Sequence, residues 1–199
     1  RFLSEDSVRA RLGLTAEASI FDDPKPWVER LTSHPLVRGA EVRRRFPNGL
    51  HVTLEERQPV ALAATPTLEP VDAEGHRLPI DPTRYPLDLP IVTASSVPPG
   101  GSTLFGEDVR ALVAEIARLG VSDAEFVQRI STLRHDGRGA FVARLTGPDI
   151  DFLMPPGVSA TRIRAGEAAL QDAMSRSPGE TPLSVDLRFA DQVVVRRFD

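Results

Sequence analysis

Apolar positions along the chain change rhythm twice. Near the start, Val8 and Leu12 stand four apart behind Ser4, with Glu5 and Asp6 between. Ser4 is a good N-cap, the two acids suit the positive end of a helix, and Leu3 with Val8 forms a hydrophobic staple. Gly13 can close that helix in the left-handed conformation. A second helix is expected from Asp23, with Pro24 at its first position, Trp27 and Leu31 on one face, and His34-Pro35 at its end.

The period then drops to two. In AEVRRRFPNGLHVTLEE, Ala40, Val42 and Phe46 form one face of a first strand, and Leu50, Val52 and Leu54 one face of a second. All are even-numbered, so paired residues must sum to an even number. A three-residue loop, Pro47-Asn48-Gly49, meets that condition by pairing Phe46 with Leu50, Arg44 with Val52 and Val42 with Leu54. A two-residue Asn48-Gly49 loop would turn one strand's apolar set to the wrong face. Gly49 is then expected in the left-handed position of a bulge-type turn, and Arg44 at the rim of the layer.

Beyond residues 63–66 the texture becomes rich in proline and glycine, with short apolar runs at 60–63, 78–80 and 89–92. VDAEGHRLPI reads as two short strands about Glu74-Gly75. Val109, Leu112, Val113, Ile116 and Leu119 predict a helix over 107–119, stopped by Gly120. Strands are expected over 126–133, 139–145 and 149–154, and a helix over 159–175 carrying Ile163, Leu170, Ala173 and Met174. The terminal VDLRFADQVVVRRF reads as a hairpin with a loop at 190–192, pairing Phe189 with Val193, Leu187 with Val195 and Asp186 with Arg196. The expected class is therefore α+β in two units, residues 1–63 and 64–199. The first unit is small, and its two strands leave a sheet edge that a strand before Arg1 would cover.

Composition narrows the chemistry. The 199 residues carry a net charge of −4 and no cysteine, which excludes disulfides, thiolate metal sites and thiol nucleophiles. The sequence holds no apolar run of membrane-spanning length and no signal peptide. It opens at Arg1 without Met, as a piece cut from something longer would. His34, His51, His76 and His135 never stand three or four residues apart, as a helix-borne metal site requires. The acidic pairs are accounted for by helix starts and strand ends. Neither a phosphate-binding glycine loop nor a nucleophile elbow is present. The arginines at 43–45 beside Phe46 suit a strand rim better than a nucleic-acid reader, given the acidic balance and few aromatics. We therefore expect no enzyme, no cofactor, no metal, no small-molecule substrate and no nucleic-acid partner.

HPLVRGAEVRRRFPNGLHVTLEERQPVALA, followed by VDAEGHRLPI, resembles the FtsQ/DivIB cell-division family. The family's signature before its second domain corresponds to Leu54-Glu55-Glu56-Arg57-Gln58-Pro59-Val60-Ala61. The terminal VDLRFADQVVVR is similar to the close of that second domain. The resemblance implies a small POTRA domain of pattern β-α-α-β-β, here without its first strand. A mixed β-rich domain with two helices and a C-terminal hairpin would follow. It further implies a non-enzymatic divisome scaffold held in the inner membrane by one upstream helix, with this region on the periplasmic side at the septum. The partners implied are FtsB and FtsL, with FtsB adding a strand beside the last strand. On that match the receiving residues are Arg188, Phe189, Val193, Val194, Val195, Arg196 and Arg197. Two other readings remain: a POTRA-bearing module of an outer-membrane assembly or secretion system that takes client strands, and a hydrolase with acids converging in a pocket.

Overall fold

The computed structural model describes residues 2–15, 18–93, 102–147, 149–176 and 184–196. Helix α1 (Glu5–Leu12) begins as its sequence dictates: Ser4 is extended, its Oγ accepts the Ser7 N–H at 3.2 Å, and Gly13 ends the helix at φ 59°. Helix α2 (Lys25–Thr32) has its first helical residue one position later than expected. Pro24 occupies the cap position, and the Asp23 carboxylate accepts the Lys25 N–H at 3.0 Å. Strands β1 (Val37–Arg45) and β2 (Gly49–Glu56) form an antiparallel pair. Leu12, Trp27, Leu31 and Val42 are buried between this pair and the two helices.

The hairpin keeps the expected parity but slips by two residues. Val42 faces Val52, Ala40 faces Leu54, Arg44 faces Leu50 and Arg45 faces Gly49. The three-residue loop is Phe46-Pro47-Asn48, with a cis Phe46–Pro47 bond. Gly49 is thus a strand residue outside the left-handed region, and Phe46 leaves the apolar face to stand 72% exposed. Both registers keep Val42, Val52 and Leu54 inward, so the apolar pattern cannot choose between them. Arg44 is exposed at the rim, as expected, and donates to the Ile20 and Asp22 carbonyls at 2.7 and 3.4 Å.

Among the described residues, the rest of the chain builds one eight-stranded sheet. Its strands are β3 (Pro59–Ala64), β4 (Leu68–Asp72), β5 (Ile91–Thr93), β6 (Ile130–His135), β7 (Phe141–Leu145), β8 (Asp151–Met154), β9 (Ser184–Asp186) and β10 (Val194–Arg196). Their order is β4-β3-β5-β6-β7-β8-β9-β10. The pairs β3–β5, β5–β6 and β8–β9 are parallel. Helices α3 (Glu107–Ser122) and α4 (Ala124–Gln128) supply the β5–β6 crossover and α5 (Ala160–Arg176) the β8–β9 one, whereas β3 reaches β5 through β4 and residues 73–90. Residues 59–63, placed in the first unit by the composition shift, pair instead in this larger sheet, where Ala61 and Ala63 lie fully buried in the main core. Hydrogen bonding therefore changes sheet between Glu56 and Pro59.

Two expectations fail around residue 120. Helix α3 runs through Gly120 to Ser122, because Leu119 and Ile116 are buried and outweigh a glycine cost of about 1 kcal/mol. Phe126 is not in a strand. Asp123 caps α4 by accepting the Phe126 N–H at 3.2 Å, and the ring packs edge-on against Phe152 at 5.5 Å.

A small cluster of Leu36, Leu78 and Ile80, flanked by Phe2, Leu3 and Leu87, joins the two sheets. No helix among the described residues is long and apolar enough to cross a membrane.

Candidate partner-binding edge

The two edges of the large sheet differ. Beside β4, the Asp72 N–H bonds to His76 O at 3.1 Å and the Leu78 N–H to Pro70 O at 2.9 Å. Residues 103–105 then cover that segment in turn, through Arg77 N–H to Thr103 O and Phe105 N–H to Gly75 O, both at 2.9 Å. At the other edge, among the described residues, β10 pairs with β9 alone.

The support under that edge is firm. Val185, Asp186 and Leu187 are buried, and Leu187 N–H bonds to Leu153 O at 2.8 Å. Helix α5 lies close on β9 and β8 because residue 166 is glycine: a Cβ there would stand 2.8 Å from Leu187 Cδ2 and 3.2 Å from both Phe152 and Val185. The hairpin pairs Val194 with Asp186, Val195 with Val185 and Arg196 with Ser184. This too is a slip of two from the expected register. Leu187 turns into the core and stays with β8 instead of pairing with Val195, which lengthens the connection. Arg196 consequently reaches Asp186 on the diagonal, at 3.6 Å.

The sequence-predicted residues divide by surroundings. Phe189 is 42% exposed, Val193 packs against the main core, and Val194 and Val195 are half-buried on β10. Arg196 points outward. Arg188 is engaged within the chain: its guanidinium donates to both Asp186 oxygens at 2.9 and 2.7 Å and to Asp136 at 3.2 Å. Arg197 lies outside the described residues.

Asp186 is fully buried, yet its carboxyl is held below the ordinary aspartate range. The Arg188 hydrogen bond is the main cause and outweighs burial, with further help from the Arg188 N–H and the charges of Arg188 and Arg196. Asp136 is lowered chiefly by the Ala140 and Arg138 N–H groups, which its Oδ1 accepts at 2.9 and 2.7 Å. Arg162 on α5 donates through one nitrogen to the carbonyls of Phe189 and Gln192, closing the turn from above. Sequence reasoning missed Arg162 and Asp136, which lie far from the hairpin in the chain and carry no local motif.

A second polar cluster was also missed. Asp72, Glu74 and His76 offer metal-ligand atoms within 4.8 Å of one another. Their centre is taken by Arg57, whose Nη1 stands 2.7 Å from Asp72, 3.0 Å from His76 Nδ1 and 3.4 Å from Glu74. Burial pushes the Asp72 carboxyl up, but the His76 N–H, the Arg57 guanidinium and the His76 charge together bring it below its ordinary value. The guanidinium supplies the countercharge a cation would, so the cluster reads as an ion-pair joint between the sheets. D-x-E-x-H in VDAEGH was its only sequence signal.

In the smaller unit, Val8, Leu12, Trp27, Leu50, Val52 and Leu54 line a groove of about 500 Å³ beside the outer edge of β2. Leu50, Val52 and Leu54 are only half-buried although they face inward.

Residues 1–57 match the model of the FtsQ-type POTRA domain. The cell division protein FtsQ of Rhodothermus marinus is 32% identical over 210 aligned positions, covering 95% of this chain and 71% of that protein. The chain belongs to the FtsQ family. The FtsQ protein of Geotalea daltonii is 28% identical across 85% of the chain, and that of Myxococcus fulvus 29% across 60%. The chain spans 62% and 43% of those two relatives.

Proposed function

We propose that this chain is the extracytoplasmic part of an FtsQ-type divisome scaffold. It has no catalytic role, and it recruits FtsB and FtsL by accepting a strand at β10, linking early division proteins to septal peptidoglycan synthesis. Other divisome proteins join through that complex. A transmembrane helix upstream anchors the protein in the inner membrane, and the two domains divide near Arg57-Gln58. The relatives described above are all named as cell-division proteins, which favours this reading over a client-binding module of an outer-membrane machine.

The observation that carries the proposal is the β10 edge, which pairs with β9 alone among the described residues, beside an exposed Phe189. Backbone bonds are worth about 0.5–1.5 kcal/mol each, and β10 has only three residues. Micromolar affinity needs about 8 kcal/mol. Phe189, Val193 and Val195 must therefore contribute as apolar anchors, with Arg188, Val194, Arg196 and Arg197 setting selectivity.

The groove beside β2 fits the same reading. Phe2 N–H donates to Glu56 Oε2 at 2.7 Å, so the chain enters past the far end of β2. A preceding strand seated on that edge would run parallel to β2 and cover Leu50, Val52 and Leu54.

Titration with the extracytoplasmic segment of FtsB from the same bacterium tests the site. Phe189→Ala and Val194→Lys should each weaken binding by at least about tenfold, a loss of 1.4 kcal/mol, without change in melting temperature. Lysine is chosen because Val194 lies across from the Asp186 carboxylate. Unchanged affinity in both variants would remove β10 as the receiving edge.

A further inference from the structure

We infer that Arg162 is a positioning residue for strand capture, which rests on the reading of β10 as the receiving edge. Among the described residues β10 is an edge strand of three residues, paired to three of β9. Something beyond that ladder must hold it extended before a partner arrives. The turn between the strands is long, running from Leu187 to Val193.

Arg162 meets that need from a rigid base. It sits in the first turn of the seventeen-residue helix α5, which Gly166 seats directly on β9. One guanidinium nitrogen donates to the carbonyls of Phe189 and Gln192, near the two ends of the turn. Each bond is charge-assisted, the stronger kind of protein hydrogen bond. The clamp complements the Arg188–Asp186 pair, which fixes the entry to the same turn from the other side. Between them, Phe189 is presented at the surface and β10 is held in register.

The role follows from where the ordering entropy is met. A strand captured by a floppy acceptor must order both chains at the moment of binding, which weakens affinity. With the Arg162 clamp, the acceptor is ordered in advance. Arg162 itself need not touch the partner.

The test uses this chain, the FtsB segment named above, and the variants Arg162→Ala and Arg162→Lys. Arg162→Ala should lower affinity by about tenfold or more, as expected for the loss of charge-assisted bonds. Hydrogen exchange should rise at Val194–Arg196 in the free protein and stay unchanged in β3 and β8. Saturating partner should restore full protection of β10, and Arg162→Lys, which keeps the charge without the planar fork, should recover part of the affinity. A purely structural role would lower the melting temperature and loosen β8 as well, and that outcome overturns the inference. So does wild-type affinity in Arg162→Ala. If the unmutated chain takes no strand at β10 at all, the functional reading falls first and this inference with it.

Discussion

Arg57 Nη1 stands 2.7 Å from Asp72 Oδ2, and the Asp72 side chain is only 2% exposed. Arg57 follows the last strand of the small sheet and Asp72 ends a strand of the large one, so this pair fastens one sheet to the other. Glu74 and His76 close around the same guanidinium, and Arg38 reaches Glu74 from β1 at 3.0 Å. Removing one member of a buried pair leaves the other charge uncompensated, a larger loss than the pair's net worth. Arg57→Ala should therefore destabilise the chain by about 3 kcal/mol, read from the denaturation midpoint. Arg38→Ala, an exposed partner, should cost under about 1 kcal/mol. Equal effects from the two variants would show that burial of Asp72 does not govern the joint.

Acid should loosen the chain in a defined window. Asp72, Asp136 and Asp186 all have carboxyl groups below the ordinary aspartate value of 3.8. A folded-state value below the unfolded one gives stability that is fully present above the unfolded value. It is lost as pH falls through the folded one. The burial-lowered His34 imidazole should cost a little stability as pH falls below its ordinary value of 6.5, and the main fall in melting temperature should come below about pH 4, where the three carboxylates take up protons. Asp186→Asn should be less stable than the parent at neutral pH and show a shallower acid decline. A decline as steep as the parent's would mean that Asp186 has no part in it.

The sequence made the helix caps and inward faces legible because each is set by residues within one turn or one strand. Ser4, Gly13, Trp27 and Leu31 behave as their neighbours dictate. Both hairpins show where that local logic stops. Their parity is fixed by which face is apolar, but a slip of two keeps the residues that stay paired on their faces, so the choice falls to distant contacts. At the terminal hairpin the deciding contact is Leu187 with β8, more than thirty positions away in the chain. The Arg162 clamp and the Asp136 contact have no local pattern for the same reason. Gly120 reads locally as a stop because glycine disfavours helix, whereas burial of Leu119 carries the helix onward.

Arg44 ties a loop to the hairpin tip through the Ile20 and Asp22 carbonyls. Arg44→Ala should cost only about 1 kcal/mol, but it should release that loop locally. Phe21 in the loop is 73% exposed and precedes Asp22, and Phe189 in the terminal turn is 42% exposed and precedes Ala190, so chymotrypsin has two exposed targets; Phe46 is shielded by the proline that follows it. In the variant, nicking after Phe21 should accelerate several-fold while nicking after Phe189 stays constant. Parallel changes at both would indicate general loosening of the chain and not release of one loop.

Gly166 and Gly120 both lie inside helices, and alanine should act on them with opposite sign. Alanine favours a helix interior by about 1 kcal/mol over glycine. At Gly120 an added Cβ meets nothing within 4 Å, so Gly120→Ala should stabilise by about that amount. At Gly166 the same Cβ would stand 2.8 Å from Leu187 Cδ2 and 3.2 Å from Phe152 and Val185, which are themselves buried. Overpacking of that kind costs typically 1–3 kcal/mol, roughly 2 on average, and exceeds the propensity gain. Gly166→Ala should therefore be net destabilising by about 1 kcal/mol, a fall of about 2–4 °C in melting temperature for a chain of this size. Because the displaced side chains belong to β8, β9 and the residue after β9, hydrogen exchange should rise there and leave β3 and β4 unchanged. A rise in melting temperature for Gly166→Ala would mean that α5 can lift from the sheet without loss, and that its close seating under β10 is not what holds the edge.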